Sequence, residues 1–183
     1  MANETNVIAN TCSFAGVRPI MVDLPYPEIQ VREKNLIYAN LLSADYCGSV
    51  SEMSAITQYI NNENRMSCEK CPLAKTIIGI AMAEMIHLQK LGELIFLLGG
   101  SVSFTAVYPN GRKKQWTPEY LSIPENVKHM ILADIEAEKA AINQYNMHIK
   151  MINDDYINAV LLRIIKDEEY HIMILQTLLQ EMP

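Results

Sequence analysis

An all-α fold, a four-helix bundle with a long crossover between its second and third helices, is predicted by three observations. Apolar residues recur at helical rather than strand spacing along four long segments. Within each pair of segments the connection is a short polar turn, whereas the two pairs are separated by a stretch holding Gly99, Gly100, Pro109, Gly111, Pro118 and Pro124. One phrase also occurs twice: SEMSAITQY at 51–59 returns as AEKAAINQY at 137–145, sharing Glu52/Glu138, Ala55/Ala141, Ile56/Ile142, Gln58/Gln144 and Tyr59/Tyr145. Its polar members are kept as faithfully as its apolar ones, which packing alone does not require. At 183 residues the chain is the size of one domain.

Taken in order, an irregular N-terminal segment, 1–32, contains Pro19, Pro25 and Pro27. The first helix spans about 33–62: Leu36, Ile37, Leu41, Ala44, Val50, Met53, Ile56 and Ile60 fall on a helical period, and Gly48 marks a point of bending or interruption. The polar turn NNENRMSCEKCP leads to a second helix over about 73–98, which the Gly99–Gly100 pair stops. The crossover, 99–124, reads mainly as connection, with a weakly alternating SVSFTAVY at 101–108. At up to ~3.3 Å per residue it is long enough to run the length of a helix that rises about 1.5 Å per residue. The third helix, about 125–152, has Pro124 and Glu125 in its first turn, where a fixed φ and an acidic side chain suit a helix start. The fourth, about 154–181, opens at an N-cap region, Asp154–Asp155.

Half of the residues are apolar, a fifth are charged and the net charge is −6, a balance that argues against nucleic acid or an anionic membrane surface as a partner. The short GRKK at 111–114 reads as a solvated loop. The longest apolar stretch, 76–100, is interrupted by Glu84, His87, Gln89, Lys90 and Glu93, so no membrane span is expected there. MANETNVIAN has no basic region followed by an apolar run, and a cytoplasmic location is expected. Cys68 and Cys71 form a lone C-x-x-C, read as two thiols at a helix-to-helix turn rather than a metal knuckle or redox pair. Cys12 and Cys47 read as single structural thiols in a reducing compartment.

The repeat extends into the second helix of each hairpin. AEMIHL carries Glu84 and His87, EEYHIM carries Glu168 and His171, and the steps from Glu52 to Glu84 and from Glu138 to Glu168 are 32 and 30 residues. Side chains three apart on a helix share a face, so each E-x-x-H aims a carboxylate and an imidazole at one spot. Four facing helices would gather Glu52, Glu84, Glu138, Glu168, His87 and His171 in one layer. Buried carboxylates repel one another unless cations compensate them, and two divalent ions cancel four negative charges while the imidazoles stay neutral. This oxygen and nitrogen donor set suits two manganese or iron ions per chain. On the third helix Glu136 competes with Glu138, and register with the repeat selects Glu138. Glu136, Glu169 and Asp167 read as solvated or outer groups, Tyr59 and Tyr145 as phenols hydrogen-bonded to the ligand carboxylate of the opposing helix, and His129, His148 and Glu93 as structural or exposed.

Paired E-x-x-H motifs preceded by matched Glu residues are the mark of dimetal-carboxylate bundles. The chain resembles the ferritin-like superfamily, over about 33–180, and within it the rubrerythrin and manganese-catalase branches. DYCGSVSEMSAITQY looks especially like the manganese catalases and their spore-coat relatives. The resemblance implies a ferritin-like four-helix bundle, usually oligomeric, with Glu52, Glu84, His87, Glu138 and His171 as metal ligands and Glu168 as a ligand or a close outer carboxylate. Ala141 stands where rubrerythrins carry an extra Glu, and the chain lacks their iron–tetracysteine module. The expected activity is that of an oxidoreductase that disproportionates hydrogen peroxide, with Glu168 as a proton relay. Oxidation and handling of iron with oxygen as oxidant, a peroxidase dependent on an external electron donor, and a purely structural metal staple are the alternatives.

Overall fold

The computed structural model describes residues 12–66 and 70–182. Its helices are α1 (Leu36–Cys47), α2 (Glu52–Met66), α3 (Cys71–Leu97), α4 (Val127–Met151) and α5 (Asp155–Gln180). Between α3 and α4 lie two short strands, β1 (Thr105–Val107) and β2 (Lys113–Gln115), and a 3-10 turn at Pro118–Tyr120. The packing is that of a helical bundle: α2 lies along α3 and α4 along α5, as two hairpins, and the hairpins meet through α2 with α4 and α3 with α5.

The first expected helix is two helices. The Gly48 N–H closes the last turn of α1 on Ala44 O at 2.8 Å, and the chain then turns out of the helix. A Cβ at Gly48 would stand 2.6 Å from that carbonyl oxygen, so only glycine permits this closure. Ser51 restarts the helix, its Oγ accepting from Ser54 N at 3.2 Å, and Glu52 becomes the first residue of α2, at the positive end of a helix dipole. Asn35 caps α1, Asp154 caps α5 as its sequence suggests, and Asn126 caps α4. The third expected helix therefore starts at Val127, past Pro124 and Glu125, because the Asn126 side chain accepts from His129 N and ends the extended approach. Pro72 sits in the first turn of α3, which begins at Cys71.

The crossover is more ordered than a connection. β1 and β2 pair antiparallel, Thr105 opposite Gln115, so Lys113 and Lys114 of the GRKK loop belong to an exposed strand. Ala106 packs with Ala44 and Cys47 against the end of α1. Cys47 is buried and free, and burial pushes its thiol up to about 11. Cys12, expected as a single thiol, is joined by a disulfide to Cys71, 59 residues away. Such a long-range partner leaves no trace in local spacing. Cys68, the other half of the C-x-x-C, lies outside the described residues. α3 has the length and composition of a membrane span, but half of that window is buried within the bundle.

Two apolar cores flank a polar layer. On α3, Ile80 and Ala81 belong to one core and Leu91 to the other, with Glu84 and His87 between them. On α5, Ile164 and Leu175 bracket Glu168 and His171 in the reverse order, as an antiparallel partner requires.

Candidate metal centre

Each helix of the two hairpins delivers one or two side chains to this layer. Glu52 opens α2, Glu84 and His87 lie mid-way along α3, Glu138 lies on α4, and Glu168 and His171 lie on α5. None is more than 3 % exposed. Their donor atoms form two groups, Glu52–Glu84–His87–Glu168 and Glu84–Glu138–Glu168–His171, each within a 4.8 Å span. Glu84 turns Oε2 to His87 Nδ1 at 2.8 Å and Oε1 to His171 Nδ1 at 3.0 Å. Glu168 does the same with Oε1 at 3.3 Å from His87 Nδ1 and Oε2 at 3.1 Å from His171 Nδ1. Glu52 approaches only His87, at 3.6 Å, and Glu138 only His171, at 3.5 Å. Two carboxylates are thus shared between the groups and two are terminal. The phenols cross over: Tyr59 of α2 donates to Glu138 Oε1, and Tyr145 of α4 donates to Glu52 Oε1.

The far nitrogens of the histidines determine what the near ones can do. His171 Nε2 lies 2.8 Å from the carbonyl oxygen of Ile20, which can only accept, so Nε2 carries the hydrogen. His87 Nε2 stands 3.1 Å from Asp167 Oδ2, with the same consequence. In the neutral imidazoles each Nδ1 lone pair then points at carboxylate oxygens, three around each ring. That arrangement is repulsive unless positive charge lies among the donors. In metal-free protein, protons supply it. Burial, then the charges of Glu84 and Glu168, push Glu52 and Glu138 well above the usual carboxylate range. Burial alone would lower His87 and His171, but the facing carboxylates outweigh it and raise both strongly. Burial would raise Glu84, and the two histidines outweigh that in turn and hold it low. Even so, the fully buried Glu84 Oε1 makes no hydrogen bond among the described residues, although His171 Nδ1 is 3.0 Å away. Two divalent cations would satisfy this donor set with every carboxylate ionised and both imidazoles neutral, so the residues fit such a pair.

Beside the layer is a cavity of about 100 Å³. Glu52, Glu84, Glu138 and Glu168 line it from the layer, Ala55, Ala133, Ala137 and Ala141 from α2 and α4, and Tyr120, Leu121 and Ser122 from the crossover. A water needs roughly 10–15 Å³ of such space, so the cavity admits several waters or one small molecule. The crossover is fastened over it: Ser122 N donates to Gln58 Oε1 at 2.7 Å and Trp116 Nε1 to Ser54 Oγ at 3.0 Å.

The ferritin-like domain pattern matches residues 51–183, well over half of the chain. The chain belongs to the ferritin-like family. A probable manganese catalase of Clostridium acetobutylicum is 24% identical over 161 residues, covering 79% of this chain and 71% of that protein. KatB, a manganese catalase from Anabaena, superimposes with a TM-score of 0.77 at 24% identity, over 86% of this chain and 78% of KatB. The bacterioferritin of Rhodobacter capsulatus, described with a metal-free dinuclear site, gives a TM-score of 0.67 at 22% identity, over 81% and 86% of the two chains.

Within this ferritin-like bundle all six residues singled out by the repeat come together, and Glu168 is as central as Glu84. Glu136 and Glu169 are exposed, as is His129. His148 is buried and structural, its Nδ1 2.7 Å from Asp45 Oδ2. Asp167 is fully buried, an outer group that hydrogen-bonds a ligand histidine rather than a solvated acid. Burial would raise it, but hydrogen bonds from His87, Arg163 and Val22 N hold it at about 2. Tyr26 OH also donates to it at 2.8 Å. Sequence reasoning missed the N-terminal segment altogether, because Ile20, Val22 and Tyr26 act over separations of 141 to 151 residues. It also missed Asp134, whose signal was available: an acid one turn before Glu138 in the apolar phrase ILADI.

Proposed function

We propose that the protein is a peroxide-disproportionating enzyme of the manganese-catalase kind, built on two manganese or iron ions. The carrying observation is the pair of donor groups, joined by two shared carboxylates and opening on a cavity the size of several waters. Glu52 and His87 would hold one ion, Glu138 and His171 the other, and Glu84 and Glu168, which belong to both donor groups, would help to hold both. Bound there, two such ions supply one-electron changes in tandem, so two electrons are exchanged without an organic cofactor. In one half of the cycle a peroxide molecule gives up two electrons and two protons and leaves as dioxygen. In the other, a second peroxide takes up two electrons and two protons and becomes two waters.

The chain's own residues shape this chemistry. The Ile20 carbonyl and Asp167 keep the hydrogens of His171 and His87 on Nε2, so that both Nδ1 atoms remain donors. Tyr59 and Tyr145 hold the terminal carboxylates in place. The alanines leave one flank of the layer uncovered, and the crossover limits what reaches it. The similarity to a probable manganese catalase supports this reading, and Ala141 supports it over a peroxidase that needs a further carboxylate at that position.

Elemental analysis of protein purified without added metal, followed by oxygen-electrode assay with peroxide, tests the proposal. Two ions per chain and oxygen evolution are expected. Loaded protein that consumes ferrous ion and oxygen but leaves peroxide untouched would overturn it in favour of iron oxidation, the reading the bacterioferritin-like fold favours.

A further inference from the structure

Asp134 is a buried acid for which the ligand set has no use. It is 1 % exposed, lies on α4 one turn before Glu138, and lines the same cavity as the four glutamates. Among the described residues no cation pairs with it, and its only hydrogen-bond donor is the amide of Asn62, whose Nδ2 lies 2.9 and 3.0 Å from the two carboxylate oxygens.

The orientation of that amide is dictated from the crossover. Ser122 N–H can only donate, so it takes Gln58 Oε1 at 2.7 Å. Gln58 Nε2 therefore faces Asn62 Oδ1 at 3.1 Å, and Asn62 presents Nδ2 to Asp134. A relay of three amides thus ends on Asp134 with donors only, holding the carboxyl still while leaving its remaining valence to the cavity. A second polar group waits on the same wall: the Tyr120 hydroxyl is buried, lines the cavity and has no hydrogen-bond partner among the described residues. The other titratable groups around Asp134 are Glu52 and Tyr59 on α2, Glu138 on α4, and Glu84 and Glu168 across the cavity from α3 and α5, none of them cationic when ionised.

We propose that Asp134 is a catalytic proton carrier of the cavity, taking one proton from the peroxide that is oxidised and returning it to the peroxide that is reduced. This rests on the proposed peroxide chemistry, whose oxidative half releases two protons and two electrons and whose reductive half consumes two of each. One of those protons resides on Asp134 between the halves, and the other is released to solvent water and taken back from it. Burial, only partly offset by the Asn62 hydrogen bond, raises this carboxyl to about 7, where it both accepts and gives up a proton under ordinary conditions.

Two readouts test it, one of them independent of turnover. Infrared difference spectra of metal-loaded protein, titrated with acid and base, are expected to show a buried protonated carboxyl band that titrates near neutrality and is absent in Asp134→Asn. In oxygen-electrode assays Asp134→Asn should keep both metal ions yet lose about 100-fold in kcat, with little change in KM and no inflection near neutral pH. Asn62→Leu keeps the carboxyl but removes its donor, and should move both the band and the kcat inflection to higher pH. A wild-type band unchanged in Asp134→Asn, or undiminished kcat in that variant, overturns the proposal. Should Asp134→Asn fail to load metal, an unshifted inflection in Asn62→Leu overturns it instead. Wild-type protein inert toward peroxide would remove the shuttle together with the function, and that outcome is recognisable before any variant is made.

Discussion

At the scale of single residues the centre is asymmetric in a way that metal content can read. Glu52 belongs to one donor group and Glu138 to the other, whereas Glu84 and Glu168 belong to both. Glu52→Gln should therefore leave about one ion per chain after gel filtration, and so should Glu138→Gln, while Glu84→Gln should lose most of both. Equal losses from all three would mean that the carboxylates do not divide as the distances indicate. The crossed phenols give a second, smaller effect. Tyr145→Phe strips the donor from Glu52 Oε1, a buried oxygen, and such an unsatisfied acceptor costs about 1–3 kcal/mol. A lowered melting temperature is expected in metal-free protein, together with metal affinity weakened by about 10–100-fold. An unchanged melting temperature would show that the bond contributes nothing net.

At the scale of elements, the decisive piece is the N-terminal strap, residues 18–24, which forms neither helix nor strand. It crosses α3 at Gly79, where Ile20 N donates to Gly79 O at 2.9 Å, and a Cβ there would stand 2.9 Å from Ile20 Cγ1 and 3.2 Å from Arg18 O. Arg163 of α5 grips the same strap through the carbonyls of Val22 and Leu24. Gly79→Val should lift the strap, cost about 1–3 kcal/mol by overpacking, and speed metal loss by releasing His171 from the Ile20 carbonyl. Retention of metal at the wild-type rate would detach the strap from the centre's function. The repeat made the ligand layer legible in the sequence because four helices impose a period, and a period survives in one dimension. The strap, the Cys12–Cys71 link and the amide relay to Asp134 have no period. They are contacts between segments 59 to 151 residues apart, fixed by which surfaces the bundle happens to bring together. The break at Gly48 was half legible: the glycine marked the place, but the crowding against Ala44 O that makes it a true break exists only once the helix is closed.

At the scale of the whole molecule, the polar layer makes stability depend on pH in opposite senses with and without metal. In metal-free protein Glu52 and Glu138 are raised well above 4.5, His87 and His171 well above 6.5, and Asp134 from 3.8 to about 7. A group raised in the folded state binds its proton more tightly there than in the unfolded chain. Its stabilisation is complete below the ordinary value and is lost as pH climbs through the folded one. Glu84 and Asp167 are lowered instead, so their contribution is present throughout the neutral range and disappears only on strong acidification. Between about pH 5 and 8 the raised groups alone act, each tenfold tightening of proton binding contributing about 1.4 kcal/mol, and metal-free protein should melt at progressively lower temperature as pH rises. Metal reverses this, because each ion must displace the protons that stand in for it, and its hold strengthens as they leave. Free metal at about 100 times its dissociation constant adds about 2.7 kcal/mol, so the melting curves of loaded and stripped protein should lie close together at about pH 5 and separate steadily toward about pH 8. Calorimetry on chelator-treated and reloaded samples measures the separation directly. If the stripped protein instead gains stability across that range, the glutamates are not held against one another in a closed interior, and the layer is not the charge trap its distances describe.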